Sequence, residues 1–92
     1  MNLNDSHLKM LEEMLLENPQ AGDVIQGTGG ARKIRIQLSG RGKSGGGRVI
    51  YIDILEDEQI YLLFAYPKNV QENLTPKQEK AIKLMIETIK KE

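Results

Sequence analysis

Between Ala31 and Leu38 apolar and polar positions alternate, with Ile34, Ile36 and Leu38 on one side and Lys33, Arg35 and Gln37 on the other. That period of two predicts a half-buried strand with a basic outer face. Two later runs, Gly47 to Leu55 and Gln59 to Tyr66, are apolar at almost every position and rich in Val, Ile, Tyr, Leu and Phe, which also predicts strands. The connection between them, Glu56-Asp57-Glu58, is short and polar, so the two runs form an antiparallel hairpin. Their continuous apolar character predicts deep burial near the middle of a sheet. Both ends of the chain read as helices. Leu8, Leu11, Met14 and Leu15 recur at helical spacing behind an Asn4 cap, with Leu3 and Leu8 set as a hydrophobic staple. Asn18-Pro19 ends that segment, because a residue before proline is pushed out of the α region. His7 falls in the first turn, where a surface or capping role is expected. Near the C-terminus Thr75 caps, Pro76 takes the first helical position and Gln78 completes a capping box, ahead of the apolar stripe Ile82, Met85, Ile86 and Ile89. A helix, three strands and a helix in 92 residues predict one α+β domain, residues 1–92, with a single modest core.

Charge changes this picture more than composition does. The formal net charge is zero, yet the stretch from Val24 to Ile52 holds Arg32, Lys33, Arg35, Arg41, Lys43 and Arg48, no acidic residue, and most of the glycines. All the acidic residues lie outside it. A patch of that density attracts phosphate, since each Lys or Arg set against a polyanion releases condensed counterions. RNA or DNA is one reading of the patch; a solvated loop that keeps a small protein soluble is the other. Three tyrosines and one phenylalanine are the only aromatic residues, so phosphate contacts outweigh base stacking.

Other chemistries find little support. With no cysteine and one histidine, neither a disulfide framework, a thiolate metal site nor a Ser-His-Asp or Cys-His set can be assembled. No cofactor and no metal are expected. No apolar run approaches the ~20 residues of a membrane span, and the N-terminus lacks the pattern of a signal peptide; a cytoplasmic protein without a membrane partner is expected. Gly42-Lys43-Ser44 looks like the end of a P-loop, but Gln37 stands where the first glycine belongs, and a strand follows instead of a helix. Gly40-Arg41-Gly42-Lys43-Ser44-Gly45 matches G-x-G-x-x-G, yet it joins strand to strand outside any βαβ unit. Asp53 with Glu56-Asp57-Glu58 reads better as a solubilising turn than as a carboxylate site. Any catalysis therefore runs on Lys, Arg and Tyr.

A wider set of blocks carries more information. Asn18-Pro19, Gly22-Asp23-Val24-Ile25, Gly27-Thr28-Gly29-Gly30-Ala31-Arg32-Lys33-Ile34-Arg35, Gly40 to Tyr51, Tyr66-Pro67-Lys68-Asn69 and Leu74-Thr75 follow in order. Together they make the chain, from about Leu3 to the last helix, resemble the HigB-like branch of the RelE/ParE superfamily of type II toxins. The resemblance implies a RelE-like α+β fold, a small antiparallel sheet with helices packed on one face and a basic opposite face that holds RNA. Family members usually begin with a further strand and short helix ahead of the first helix here, and that strand is expected to be absent. An open sheet edge is then expected, which invites an antitoxin strand or a homodimer.

The same resemblance implies an activity: metal-independent cleavage of mRNA, associated with the ribosome, by attack of an RNA 2′-hydroxyl on the adjacent phosphate. Lys33 and Arg35 match the paired basic positions of the family's strand motif, Arg48 its strand-opening arginine, and Lys68 falls near a further basic position. In these roles Lys33 is the base, favoured in its neutral form by crowding from Arg32, Arg35 and Arg48. Arg35 and Arg48 stabilise charge on the phosphate, and Lys68 helps the leaving oxygen. Arg32, Arg41 and Lys43 are cast as clamps on the RNA backbone. Tyr66 either stacks on a base or closes the core at a strand end. No tyrosine or histidine follows Tyr66 to serve as an aromatic acid or base. The partners implied are mRNA, the ribosome and a cognate antitoxin of helix-turn-helix type. Two further readings remain: a non-catalytic or truncated RelE/ParE-like module that binds an antitoxin or a nucleic-acid-handling partner, and a plain RNA-binding domain.

Overall fold

The computed structural model describes residues 5–37, 46–54 and 58–91. Helix α1 (Asp5–Glu17) leads through a turn into strand β1 (Asp23–Val24), followed by β2 (Arg32–Gln37), β3 (Gly46–Ile54), β4 (Gln59–Pro67) and helix α2 (Pro76–Lys91). Asn4 and Leu3, expected to cap and staple α1, lie outside the described residues. The α2 capping box forms as expected: Gln78 N–H donates to Thr75 Oγ1 at 3.1 Å, and Thr75 N–H donates to Gln78 Oε1 at 2.9 Å.

The four strands are antiparallel in the order β1-β2-β3-β4. Strand β1 was not expected; two residues are too few to show a period. It pairs with the start of β2 across a tight turn in which Thr28 Oγ1 donates to the Ile25 carbonyl and accepts from Ala31 N–H. Gly29, at φ 87°, sits in the left-handed region that this turn requires. The β3–β4 hairpin forms as expected. Its register slips once, between Ile50 and Tyr51, so that Leu63 of β4 has no partner on β3.

Strand β3 has a hydrophobic cluster on each side. Ile50, Ile52 and Ile54 pack with Ala31, Tyr66, Leu74 and the α2 residues Ile82 and Ile86. Val49 and Tyr51 pack with Ile34, Ile36 and the α1 residues Leu11 and Leu15. The α+β class therefore stands, but the expected placement of both helices on one face does not. The run Val49 to Ile52, with Ile54, presents apolar side chains on both sides of β3, and each side needs a cover. Strand β4, expected in the middle of the sheet, is an edge strand, and Leu62 on it remains 47% exposed. His7, expected at the surface, is buried on the same side of α1 as Leu11 and Leu15, at spacings of four.

The turn between α1 and β1 is fixed from beneath by Tyr51. Its hydroxyl donates to the Pro19 carbonyl at 2.8 Å and accepts from Gly22 N–H at 2.9 Å. Gly22 has no room for a side chain, since a Cβ there would stand 2.9 Å from the Lys33 carbonyl oxygen and from the Tyr51 ring.

Candidate functional site

A row of three side chains crosses the sheet. Arg35 on β2 stands opposite Arg48 on β3, and Arg48 stands opposite Tyr66 on β4. Lys33, two residues before Arg35, shares its side of β2 and faces Ile50 across the ladder. Ile50 and Tyr66 belong to the cluster beneath α2, so the row lies on the side of the sheet that α2 covers in part, beyond its Ile82 and Ile86 contacts. The basic face is thus the α2 side, not a face left bare by both helices.

Burial divides the row. Arg35 is exposed, and among the described residues it makes no hydrogen bond or ion pair. Arg48 is only 5% exposed; its guanidinium donates to the Gly47 carbonyl at 3.2 Å and meets Glu72 Oε1 at 3.5 Å. A buried cation needs such partners, because desolvation is costly unless charge and hydrogen bonds offset it. Tyr66 is 3% exposed, its hydroxyl donates to the Glu72 carbonyl at 3.3 Å, and its ring meets Phe64 with centroids 5.8 Å apart. Burial holds the phenol above its usual ionisation range; the positive charge of Arg48 opposes this and Glu72 adds to it. Of the two readings of Tyr66, the core-closing one describes its surroundings: the ring is packed inside and has no face to offer a base.

The segment between β4 and α2 reaches the same side. Lys33 Nζ donates to Asn73 Oδ1 at 3.0 Å, and Glu72 binds Arg48 as described. Gln71 Nε2 ties the segment down, donating to the Asn73 carbonyl at 2.9 Å and to Gln78 Oε1 at 2.8 Å. Glu72 and Asn73 were not among the candidate residues. They lie in a stretch without periodicity, and the only signal for them is topological: a chain leaving the end of β4 for a helix on the basic side must pass the end of the basic row.

The other candidates lie elsewhere. Arg32 has the opposite orientation on β2, and its guanidinium donates to the Gly22 carbonyl at 2.7 Å and the Gln20 carbonyl at 3.3 Å. It supports the turn after α1 and neither crowds Lys33 nor joins the row, contrary to expectation; adjacent residues of a strand point to opposite sides. Lys68 is exposed just past β4, where its N–H donates to the Gly46 carbonyl at 3.0 Å. Arg41 and Lys43 lie outside the described residues. No helix among the described residues is long and apolar enough to cross a membrane.

What this arrangement can do is bind an anion. Two guanidinium groups and one ammonium, on rigid strands and on one side of the sheet, suit a phosphate with a developing charge. The family model described as the RelE toxin of the RelE / RelB toxin-antitoxin system matches residues 2–92, almost the whole chain.

Proposed function

The chain belongs to the RelE toxin family, the toxin half of a toxin–antitoxin system, and on that premise we propose that it is an endoribonuclease that cleaves mRNA on the ribosome. The observation that carries this reading is the row of Arg35 and Arg48, with Lys33 beside it on the same side of two neighbouring strands.

In the proposed reaction the Lys33 amino group takes the proton of an RNA 2′-hydroxyl. The 2′-oxygen bonds to the adjacent phosphorus, and the bond from phosphorus to the 5′-oxygen breaks, leaving a cyclic phosphate. The departing 5′-oxygen takes a proton from the Lys68 ammonium. Arg35 and Arg48 stabilise the extra negative charge on the phosphate oxygens during the transfer. Arg48 is held firmly enough for this by Gly47 and its strand, whereas Arg35 is exposed and meets the RNA from the solvent side. Arg41 and Lys43, in the basic stretch between β2 and β3, are proposed as contacts to the RNA backbone. The ordered glycine-rich blocks support the HigB-like branch, and with it an antitoxin of helix-turn-helix type.

The test is expression of Lys33→Ala, Arg35→Ala and Arg48→Ala variants whose folding has been checked by circular dichroism. Each should relieve growth arrest and reduce mRNA cleavage. If all three arrest growth and cleave mRNA as the parent does, the nuclease assignment fails.

A further inference from the structure

Both strand-borne cations that would meet the phosphate from the inner side of the site already hold an oxygen, and both oxygens come from adjacent residues of one loop. Asn73 Oδ1 accepts from Lys33 Nζ at 3.0 Å, and Glu72 Oε1 lies 3.5 Å from the Arg48 guanidinium. The loop is anchored on its far side as well. Gln71 Nε2 donates to Gln78 Oε1 at 2.8 Å, and Gln78 is the residue that closes the α2 capping box. Tyr66 adds a further attachment through the Glu72 carbonyl. The Glu72 side chain itself is 60% exposed, against 7% for that of Arg48, so the carboxylate approaches a buried cation from solvent, by the path an incoming phosphate would take.

We propose that residues 71–73 form a strap whose Glu72 carboxylate and Asn73 amide oxygen stand in for RNA oxygens on Arg48 and Lys33, and that RNA must displace them to bind. This rests on the RNA-cleaving reading of the same face and adds to it a built-in competitor for the site. The geometry suits displacement. The Glu72 contact is single and long for an ion pair, and its carboxylate stands mostly in solvent, where water competes for it. A phosphate offers two oxygens to one guanidinium, the stronger arrangement. The attachments to Tyr66 and Gln78 do not involve the two displaced side-chain oxygens, so the strap can release its hold on the cations without leaving the fold.

Binding of a labelled, single-stranded 2′-O-methyl oligoribonucleotide, which cannot be cleaved by this reaction, tests the proposal on the full chain. Glu72→Gln should tighten binding by about two- to fivefold, the scale of a partly exposed ion pair. Glu79→Gln, which removes an equal charge from the first turn of α2 without touching the strap, should tighten it less than twofold, as long-range screening predicts. In an Arg48→Ala background the effect of Glu72→Gln should vanish, because the competition is for that guanidinium. Equal effects of Glu72→Gln and Glu79→Gln would reduce the contact to general repulsion and overturn the proposal, and this comparison stands even if Arg48→Ala does not fold. Weaker binding by Glu72→Gln would overturn it too, by making Glu72 a support for Arg48 instead of its competitor. If the parent binds the probe and loses binding with Lys33→Ala while Glu72→Gln binds as the parent does, the strap alone is wrong. If the parent does not bind the probe at all, the RNA reading and the strap fail together.

Discussion

Arg35 and Arg48 stand directly opposite one another across the β2–β3 ladder, two positive charges on neighbouring strands. Like charges in that position destabilise a sheet, and among the described residues only Arg48 of the two has a carboxylate beside it. A sequence selected for stability alone has no reason to keep both. Arg35→Ala should therefore leave unfolding by urea unchanged or raise stability by about 0.5 kcal/mol. Under the proposed function the same variant should cut RNA more slowly, by a factor on the order of a hundred, the scale of losing one group that stabilises a developing charge. A denaturation curve and a cleavage time course on one preparation check both halves.

Tyr51 predicts the opposite pairing of effects. Its hydroxyl satisfies the Pro19 carbonyl and Gly22 N–H inside the fold. Tyr51→Phe leaves both groups without that partner and should cost about 1–3 kcal/mol in a urea unfolding experiment. Binding of RNA at temperatures where the variant is folded should be unaffected, since Tyr51 faces the α1 side.

Tyr66 gives a pH dependence. Burial raises its ionisation above the usual value of 10.0, so above about pH 10 the unfolded chain loses this proton before the folded chain does. The contribution of Tyr66 to stability is full below that pH and is lost as pH rises through the folded value. Unfolding free energies measured from pH 8 to 11 should fall more steeply for the parent chain than for Tyr66→Phe. Parallel curves would show that the phenol is not held neutral by the fold.

The start of α2 carries a coupled pair. Thr75→Ala should cost about 1 kcal/mol by removing the cap. Gln78→Ala removes the acceptor for both Thr75 N–H and Gln71 Nε2, so it should weaken the helix start and the strap at once. The double variant should lose less than the two single losses combined, because both act on one network. Thermal unfolding of the four proteins measures this.

The parts of the fold legible in the sequence are those where one physical demand acts on consecutive residues. The alternation of β2 comes from one covered face and one basic one, and the Thr75–Gln78 box comes from orphan donors at a helix start. Strand β3 was legible as buried, because Val49 to Ile52 are all apolar; that a different helix covers each of its sides was not, and the helix placement implied by the family resemblance pointed the other way. Strand β4 has the same kind of run but lies at the edge, because apolar character reports what a strand touches and not how many strands flank it. In the site, Lys33 and Arg35 could be placed on one side of β2 by counting residues, whereas Arg48 entered through the family resemblance and its side is set by the β2–β3 register. Arg48 as a buried cation, Arg32 as a brace for the turn, and Glu72 with Asn73 as its neighbours depend on contacts between segments far apart in the chain, which no local pattern encodes.

The slipped register at Leu63 has a consequence for how the site is assembled. Counted from the hairpin turn, Gln59 to Leu62 alternate sides in step with β3, and the extra residue then places Leu63 and Phe64 in the same cluster. Without that added step Ala65, not Tyr66, would arrive on the side of Arg48. The meeting of Tyr66, Arg48 and Glu72 is therefore a matter of parity: one residue gained or lost between the turn and Phe64 would invert the distal half of β4 with every side chain unchanged.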